Sequence, residues 1–303
     1  MTLQEMGERR IVAEILPRYV SSPGNDAATL DVGGNTLAVT TDPVPQPAAK
    51  VIGGDADPYW MGWLLVITNA SDLAAAGATP VAFVAALEAH PDCRLSEFER
   101  LLGGIAEACS QEGLKYAGGN LREGSELTGV GTAIGFCSKR VVTRVGIANG
   151  DAICSVGHGG NFWRDALLLR SGEPLADREI SPLFRPHSQI RAMRDLAEAE
   201  LVSAAMDNSD GLLPSLTQLA VANEGCIHLE LDRLREPPGK AQSSQDPARL
   251  WLGWGDWNVI VAIRPENIAE ASRVVGQAGS HLIQIGYFES GDHPCCYAET
   301  GGR

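Results

Sequence analysis

Asn69-Ala70-Ser71-Asp72-Leu73-Ala74-Ala75-Ala76-Gly77-Ala78 closes an apolar series that begins at Trp60. Pro58 can open a helix at its first turn and Gly77 can follow the last one, so the series predicts a single helix from Pro58 to Ala76. Residues three and four apart are neighbours on a helix, which puts Asn69, Asp72 and Ala76 on one face. The carboxylate of Asp72 then lies among Leu65, Val66, Ile67, Leu73 and a run of alanines, with little access to solvent. A buried carboxylate needs a cation or hydrogen-bond donors, and a metal ion is the economical partner.

Four more segments of the same character surround it in sequence: Asn25-Asp26-Ala27-Ala28, Thr40-Thr41-Asp42, Gly118-Gly119-Asn120 and Asp207-Asn208-Ser209-Asp210-Gly211. Three of the four have a plainer reading. Asp42 can start a turn before Pro43, Gly118-Gly119 can make a tight turn, and Ser209 or Asp210 can cap the helix that follows. Capping leaves Asp207 unexplained. If the fold brings the five segments together, they make a pocket of hard oxygen ligands suited to magnesium and a nucleoside triphosphate, and glycines 118 and 119 let backbone N–H groups approach a phosphate.

The remaining pattern is a mixed α/β architecture. Helices are predicted over Leu3–Tyr19, Leu95–Glu112 (closed by Gly113), Leu212–Ala222 and Pro265–Gly276, with a turn at Ser21-Ser22-Pro23-Gly24. Strands are predicted over Thr36–Thr41, Val81–Leu87, Glu126–Cys137, Ala152–Val156, Ile227–Leu231, Asn258–Ile263 and Leu282–Phe288. Pro43 to Asp57 reads as a mobile loop placed where a substrate lid would be, and Glu236–Pro247 as an exposed loop. A change of pattern near Lys139 to Gly150 puts a domain boundary between residues 142 and 143, giving an N-terminal unit 1–142 and a C-terminal unit 143–303.

A net charge of −14 and a pI near 4.8 argue against non-specific nucleic-acid binding. No apolar run approaches the ~18 residues of a membrane span, and no basic-then-apolar leader opens the chain, so a cytoplasmic location is expected. Seven cysteines at scattered positions read as free thiols, with Cys295-Cys296 beside His293 in a C-terminal tail. His158 in Gly157-His158-Gly159-Gly160 reads as part of a turn. There is no Gly-x-Ser-x-Gly elbow, dinucleotide fingerprint or Walker lysine.

Taken in order, the first four segments, then Arg144 ahead of Asn149-Gly150-Asp151, then the Asp207–Gly211 segment, then Gly255-Asp256-Trp257, make the chain resemble the thiamine-monophosphate kinases. These belong to the wider superfamily of aminoimidazole ribonucleotide synthetase and selenophosphate synthetase. The resemblance implies a homodimer whose N-terminal α/β units pair their sheets into a β-barrel and hold ATP and Mg2+. It places Asp26, Asp42, Asp72, Asp207 and Asn120 around the metals, with Thr41 and Ser209 adding oxygens and Arg144, Gly118 and Gly119 near the nucleotide phosphates. Asp42 and Asp210 would serve catalysis, and Asp210, Asp256 and Trp257 would face the acceptor. The implied reaction moves the ATP γ-phosphoryl group to thiamine monophosphate, giving thiamine diphosphate.

The chain departs from that pattern at informative places. Asn25 and Asn120 stand where the family has aspartates, and an amide ligand brings no negative charge, so weaker or fewer metal sites are expected. The stretch Val44 to Gly54 lacks the family's His-Phe pair, and Leu121-Arg122-Glu123-Gly124 replaces Thr-Thr-Arg-Gly. These changes leave two alternatives open: a different small acceptor, such as an amide oxygen or another monophosphate, and a nucleotide-binding homologue without catalysis.

Overall fold

The computed structural model describes residues 2–20, 24–175, 177–236 and 246–300. Ser21-Ser22-Pro23 of the expected turn, and residues 237–245 of the expected Glu236–Pro247 loop, lie outside them. The N-terminal helix is interrupted: α1 (Leu3–Met6) and α2 (Glu8–Glu14) are separated by Gly7 at φ 78°, and a 3-10 turn over Leu16–Arg18 takes in Pro17. A residue at positive φ cannot continue a right-handed helix.

The first sheet holds β1 (Ala28–Val32), β2 (Asn35–Pro43), β3 (Thr79–Ala89), β4 (Lys115–Glu123) and β5 (Thr128–Cys137), in the order β1-β2-β5-β3-β4. The helices among them are α3 (Ala48–Val51), which lies within the stretch read as loop, α4 (Pro58–Ala75) and α5 (Leu95–Glu112). Asp57 caps α4 through the N–H of Tyr59, and α4 and α5 cross at two glycines. A Cβ on Gly62 would lie 2.0 Å from Leu101 O, and one on Gly104 would lie 2.0 Å from Tyr59 O. No side chain fits at either position.

Strand alternation sorts β5 into a helix-facing row of small residues, Gly129, Gly131, Ala133 and Gly135, and an outer row of Val130, Thr132, Ile134 and Phe136. On the same outer face, Leu30 pairs with Leu37 and Leu37 with Phe136. In place of the expected tight turn, Gly118-Gly119 lies inside β4, where the register against β3 slips by one residue. A Cβ on Gly119 would sit 1.8 Å from Ala85 O, so the bulged strand approaches β3 too closely for any other residue.

The second sheet holds β6 (Ala152–Val156), β7 (Ala204–Asp207), β8 (Gly225–Glu230), β9 (Val259–Ile263), β10 (Leu282–Ser290) and β11 (Cys295–Glu299), in the order β11-β8-β10-β6-β9-β7. It carries α6 (Asn161–Arg170), α7 (Ile190–Glu198), α8 (Leu212–Ala222), α9 (Pro247–Trp251) and α10 (Ile268–Gln277). The sheets lie on either side of residues 142–143, and one apolar cluster runs through both. It joins Leu65, Phe83 and Ala133 of the first half to Val156, Met193 and Val261 of the second.

Two expectations about the cysteines are corrected here. Residues 295–299 form an edge strand parallel to β8, not a tail, and its register puts Cys295 opposite Cys226. These two are joined in a disulfide with Cα atoms 4.7 Å apart, while Cys93, Cys109, Cys137, Cys154 and Cys296 are free. Pairing across adjacent strands is set by register, which cysteine spacing along the chain does not reveal. No helix among the described residues is long and apolar enough to cross a membrane.

Candidate active site

Asp26 in the bend before β1, Asp72 near the end of α4 and Asp207 at the end of β7 converge, with one carboxylate oxygen from each within 4.8 Å of the others. Buried neighbours hold them in place. Asn69, fully buried, donates to Leu65 O at 2.9 Å and accepts the N–H of Asp42 at 3.1 Å, which fixes the end of β2 over α4. Thr40 Oγ1 donates to Asp72 at 2.5 Å, and Ser71 Oγ to Asp207 at 3.4 Å. Arg144 closes the group: its Nη2 meets Asp26 at 2.5 Å, its Nε at 3.3 Å, and its Nη1 donates to Gln218 of α8 at 3.2 Å.

Burial pushes the Asp72 carboxyl well above the usual range, and the charges of Asp207, Asp26 and Asp42 push it further, with only the Thr40 hydroxyl opposing. Asp207 is raised first by burial and next by Asp26, against the hydroxyl of Ser209 and the charge of Arg144. Carboxylates crowded in this way resist ionising together unless a cation joins them. The donor set is all hard oxygen and carries excess negative charge, so Asp26, Asp72 and Asp207 fit a divalent ion such as Mg2+.

Of the other residues singled out in the sequence, Asp42 stands close enough for its charge to act on Asp72. Thr41 does not join the group. Strand alternation turns it to the outer face, where its hydroxyl donates to Gly131 O at 2.9 Å; Thr40, the preceding residue, makes the inward contact. Asn120 is also apart. It pairs with Ala86, and β4 is three strands from β2, or roughly 14 Å at the usual strand spacing, with Asn120 exposed on the outer face. Gly118 and Gly119 lie on that same distant strand.

Ser209 and Asp210 are exposed between β7 and α8, and neither caps the helix, because Gly211 at φ 99° takes the cap position. Ser209 opens instead onto a cavity of about 300 Å3 bounded by Trp60, Phe162, Phe184, Trp254, Trp257 and the Pro45–Ala49 segment. Trp257 is part of that wall. Asp256 is not: its carboxylate accepts the N–H groups of Gly160 at 2.7 Å and Phe162 at 2.8 Å, seating the start of α6, and it faces a different cavity of about 630 Å3. Burial raises its carboxyl to about 7 despite those donors. Sequence reasoning missed Trp60, Phe162, Phe184 and Trp254. Large apolar residues are ordinary core material, and only the fold shows that these share a wall.

Residues 24–137 match the model of the family described as AIR synthase related protein, N-terminal domain. A thiamine-monophosphate kinase of Halobacterium salinarum is 31% identical over 269 residues, covering 88% of this chain and 89% of that protein. The chain belongs to the thiamine-monophosphate kinase family. A second thiamine-monophosphate kinase, from Methanospirillum hungatei, is 30% identical over 276 residues, covering 90% of this chain and 92% of the relative. The solved structure described as "AaThiL complexed with AMPPCP and TMP" superposes with a TM-score of 0.81 at 23% identity, covering all of this chain and 96% of that one, so the fold is also that of a thiamine-monophosphate kinase.

Proposed function

We propose that the protein transfers the γ-phosphoryl group of ATP to thiamine monophosphate in a Mg2+-dependent reaction, giving thiamine diphosphate. Its relatives are thiamine-monophosphate kinases, and the structure with the same fold was solved with AMPPCP and TMP. The observation that carries the reading is the adjacency of two unlike sites. A cluster of three acidic oxygens stands at the end of β7, and Ser209, two residues beyond Asp207, lines an aromatic cavity free of charged side chains among the described residues. Flat rings suit the cavity and phosphates suit the acidic cluster once a cation is present.

Magnesium held by Asp26, Asp72 and Asp207 would offset charge on the phosphates. Asn69 and Thr40 fix the orientation of Asp42 and Asp72, so the chain's contribution is position and electrostatics, without a covalent intermediate. Asp210, exposed beside Ser209, would receive the proton of the acceptor phosphate. Arg144 would exchange Asp26 for the nucleotide phosphates as metal enters.

The outer face of the first sheet presents Leu30, Val32, Val130 and Phe136, each at least 40% exposed, on one surface. We infer that a second copy covers this face, giving a homodimer in which Thr41 and Asn120 lie at the contact. The decisive test follows ADP and thiamine diphosphate with ATP, Mg2+ and thiamine monophosphate, then repeats with Asp72→Asn and Asp210→Asn. Expected are stoichiometric products for the wild type and a loss of 100-fold or more in each variant, on the order of what electrostatic groups at such sites supply. ATP binding without thiamine diphosphate formation would sink the acceptor assignment.

A further inference from the structure

Arg144 lies in a connection that is neither helix nor strand, so no ladder fixes its direction. Two side chains of α8 do so instead. Asn223, at the C-terminal cap of α8, accepts the N–H groups of Gly146 at 2.8 Å and Ile147 at 3.0 Å, and donates to Arg144 O and Leu219 O, each at 2.8 Å. Every donor and acceptor position of that amide is in use. Five residues earlier on the helix, Gln218 Oε1 accepts from Arg144 Nη1 at 3.2 Å, while Nε and Nη2 face Asp26. Near the start of α8, Ser215 donates to Asn208 Oδ1 at 3.1 Å, next to Asp207. One helix therefore grips both the acid-bearing end of β7 and the arginine.

The two partners of the guanidinium differ in kind. Gln218 is neutral, so it fixes one edge without cancelling the charge, whereas Asp26 holds and neutralises the other edge. A free arginine side chain gives up rotamer freedom when it meets an anion, and one already fixed in place gives up less. We propose that Gln218 and Asn223 are positioning residues for nucleotide binding. Asn223 sets the backbone of residues 144–147, and Gln218 keeps hold of Nη1 while the Nε and Nη2 edge passes from Asp26 to a phosphate. Neither side chain needs to touch the nucleotide. The assignment rests on the kinase reading above, in which Arg144 meets the phosphates of ATP.

The test is a double-mutant cycle read by calorimetric binding of AMPPCP with Mg2+ to the wild type, Gln218→Leu, Arg144→Gln and the double variant. Gln218→Leu is expected to weaken binding about five- to tenfold, the usual worth of one hydrogen bond to a charged group, and Arg144→Gln about tenfold or more. The double variant is expected to bind no more weakly than Arg144→Gln alone, because Gln218 acts only through the arginine. In turnover, Gln218→Leu is expected to raise the KM for ATP and leave that for thiamine monophosphate unmoved. Asn223→Ala is expected to follow the same pattern with a lower Tm, and the Gln218 arms stand without it. Unchanged AMPPCP affinity in Gln218→Leu overturns the inference. So does a Gln218→Leu effect that persists in full beside Arg144→Gln, since that marks helix packing alone. A wild type that does not bind AMPPCP, or an Arg144→Gln variant that binds it as tightly as the wild type, removes the underlying reading itself, a result distinct from lost coupling.

Discussion

Asp207 shows how a single residue links stability to ligand. Burial and the neighbouring Asp26 hold its carboxyl above the ordinary value, so the folded protein binds this proton more tightly than the unfolded chain does. The sign follows: the contribution of Asp207 to the stability of the metal-free protein is full below the ordinary carboxylate value near pH 4, and is lost as pH rises through the raised one. Asp207→Asn removes the like charge while keeping the shape. The metal-free variant is expected to gain about 1–2 kcal/mol near neutral pH, seen as a Tm a few degrees higher, and to lose the Tm rise that Mg2+ gives the wild type. Calorimetry with and without Mg2+ checks both; a lower Tm for the metal-free variant would show that Asp207 is satisfied without a cation. Asp72 was legible at this scale because an acidic residue inside an apolar helix is conspicuous in sequence. Thr40 was quoted in the sequence and assigned no role, since choosing it over Thr41 required knowing which face of β2 meets α4.

At the scale of elements, β11 is held by more than its ladder to β8. His228 of β8 places Nδ1 2.7 Å from Glu299 of β11 and Nε2 3.0 Å from Glu289 of β10, and stacks on Tyr287 with centroids 4.5 Å apart. Burial alone would lower the imidazole's pKa, but its hydrogen bonds to the accepting carboxylates of Glu299 and Glu289, with their charges, carry it above the ordinary value. The tie is therefore full below about pH 6.5, and weakens as pH rises through the raised value. In urea titrations, His228→Gln is expected to cost up to about 1 kcal/mol more at pH 6 than at pH 9, a modest figure because both glutamates are well exposed. A penalty independent of pH would leave only the stacking on Tyr287 as His228's contribution. Helix α5 could be read from its period and its closing glycine, and α8 from its apolar period. Strand β11 and the Gly118-Gly119 bulge could not, because edge pairing and register depend on partners far away in the chain.

For the whole molecule, the apolar outer face of the first sheet is the feature that the fold of one chain leaves unexplained. Contiguous exposed apolar surface marks an interaction site, and the proposed homodimer would cover this one. Replacing Val130 and Phe136 together with Asp alters that face alone, since both side chains point away from α4 and the carboxylate cluster. Light scattering is expected to show a dimer for the wild type and a dissociation constant at least 100-fold weaker for the double variant; a wild type that is monomeric at micromolar concentration would remove the dimer from the proposal. The alternation of strands and helices made the α/β class readable from sequence. The union of both halves through one apolar cluster was not readable, because periodicity describes each element and says nothing of which elements meet.

The strand order of the second sheet also bears on how the chain is made. Asp207 ends β7 at one edge, and β11, which follows it in the chain, lies at the other, five strands away. Every element that carries the acidic cluster and the aromatic cavity precedes residue 258. As the chain leaves the ribosome, the acidic and aromatic groups thus emerge before β11 does, and docking of that strand onto β8 is a later event than the emergence of the proposed catalytic end.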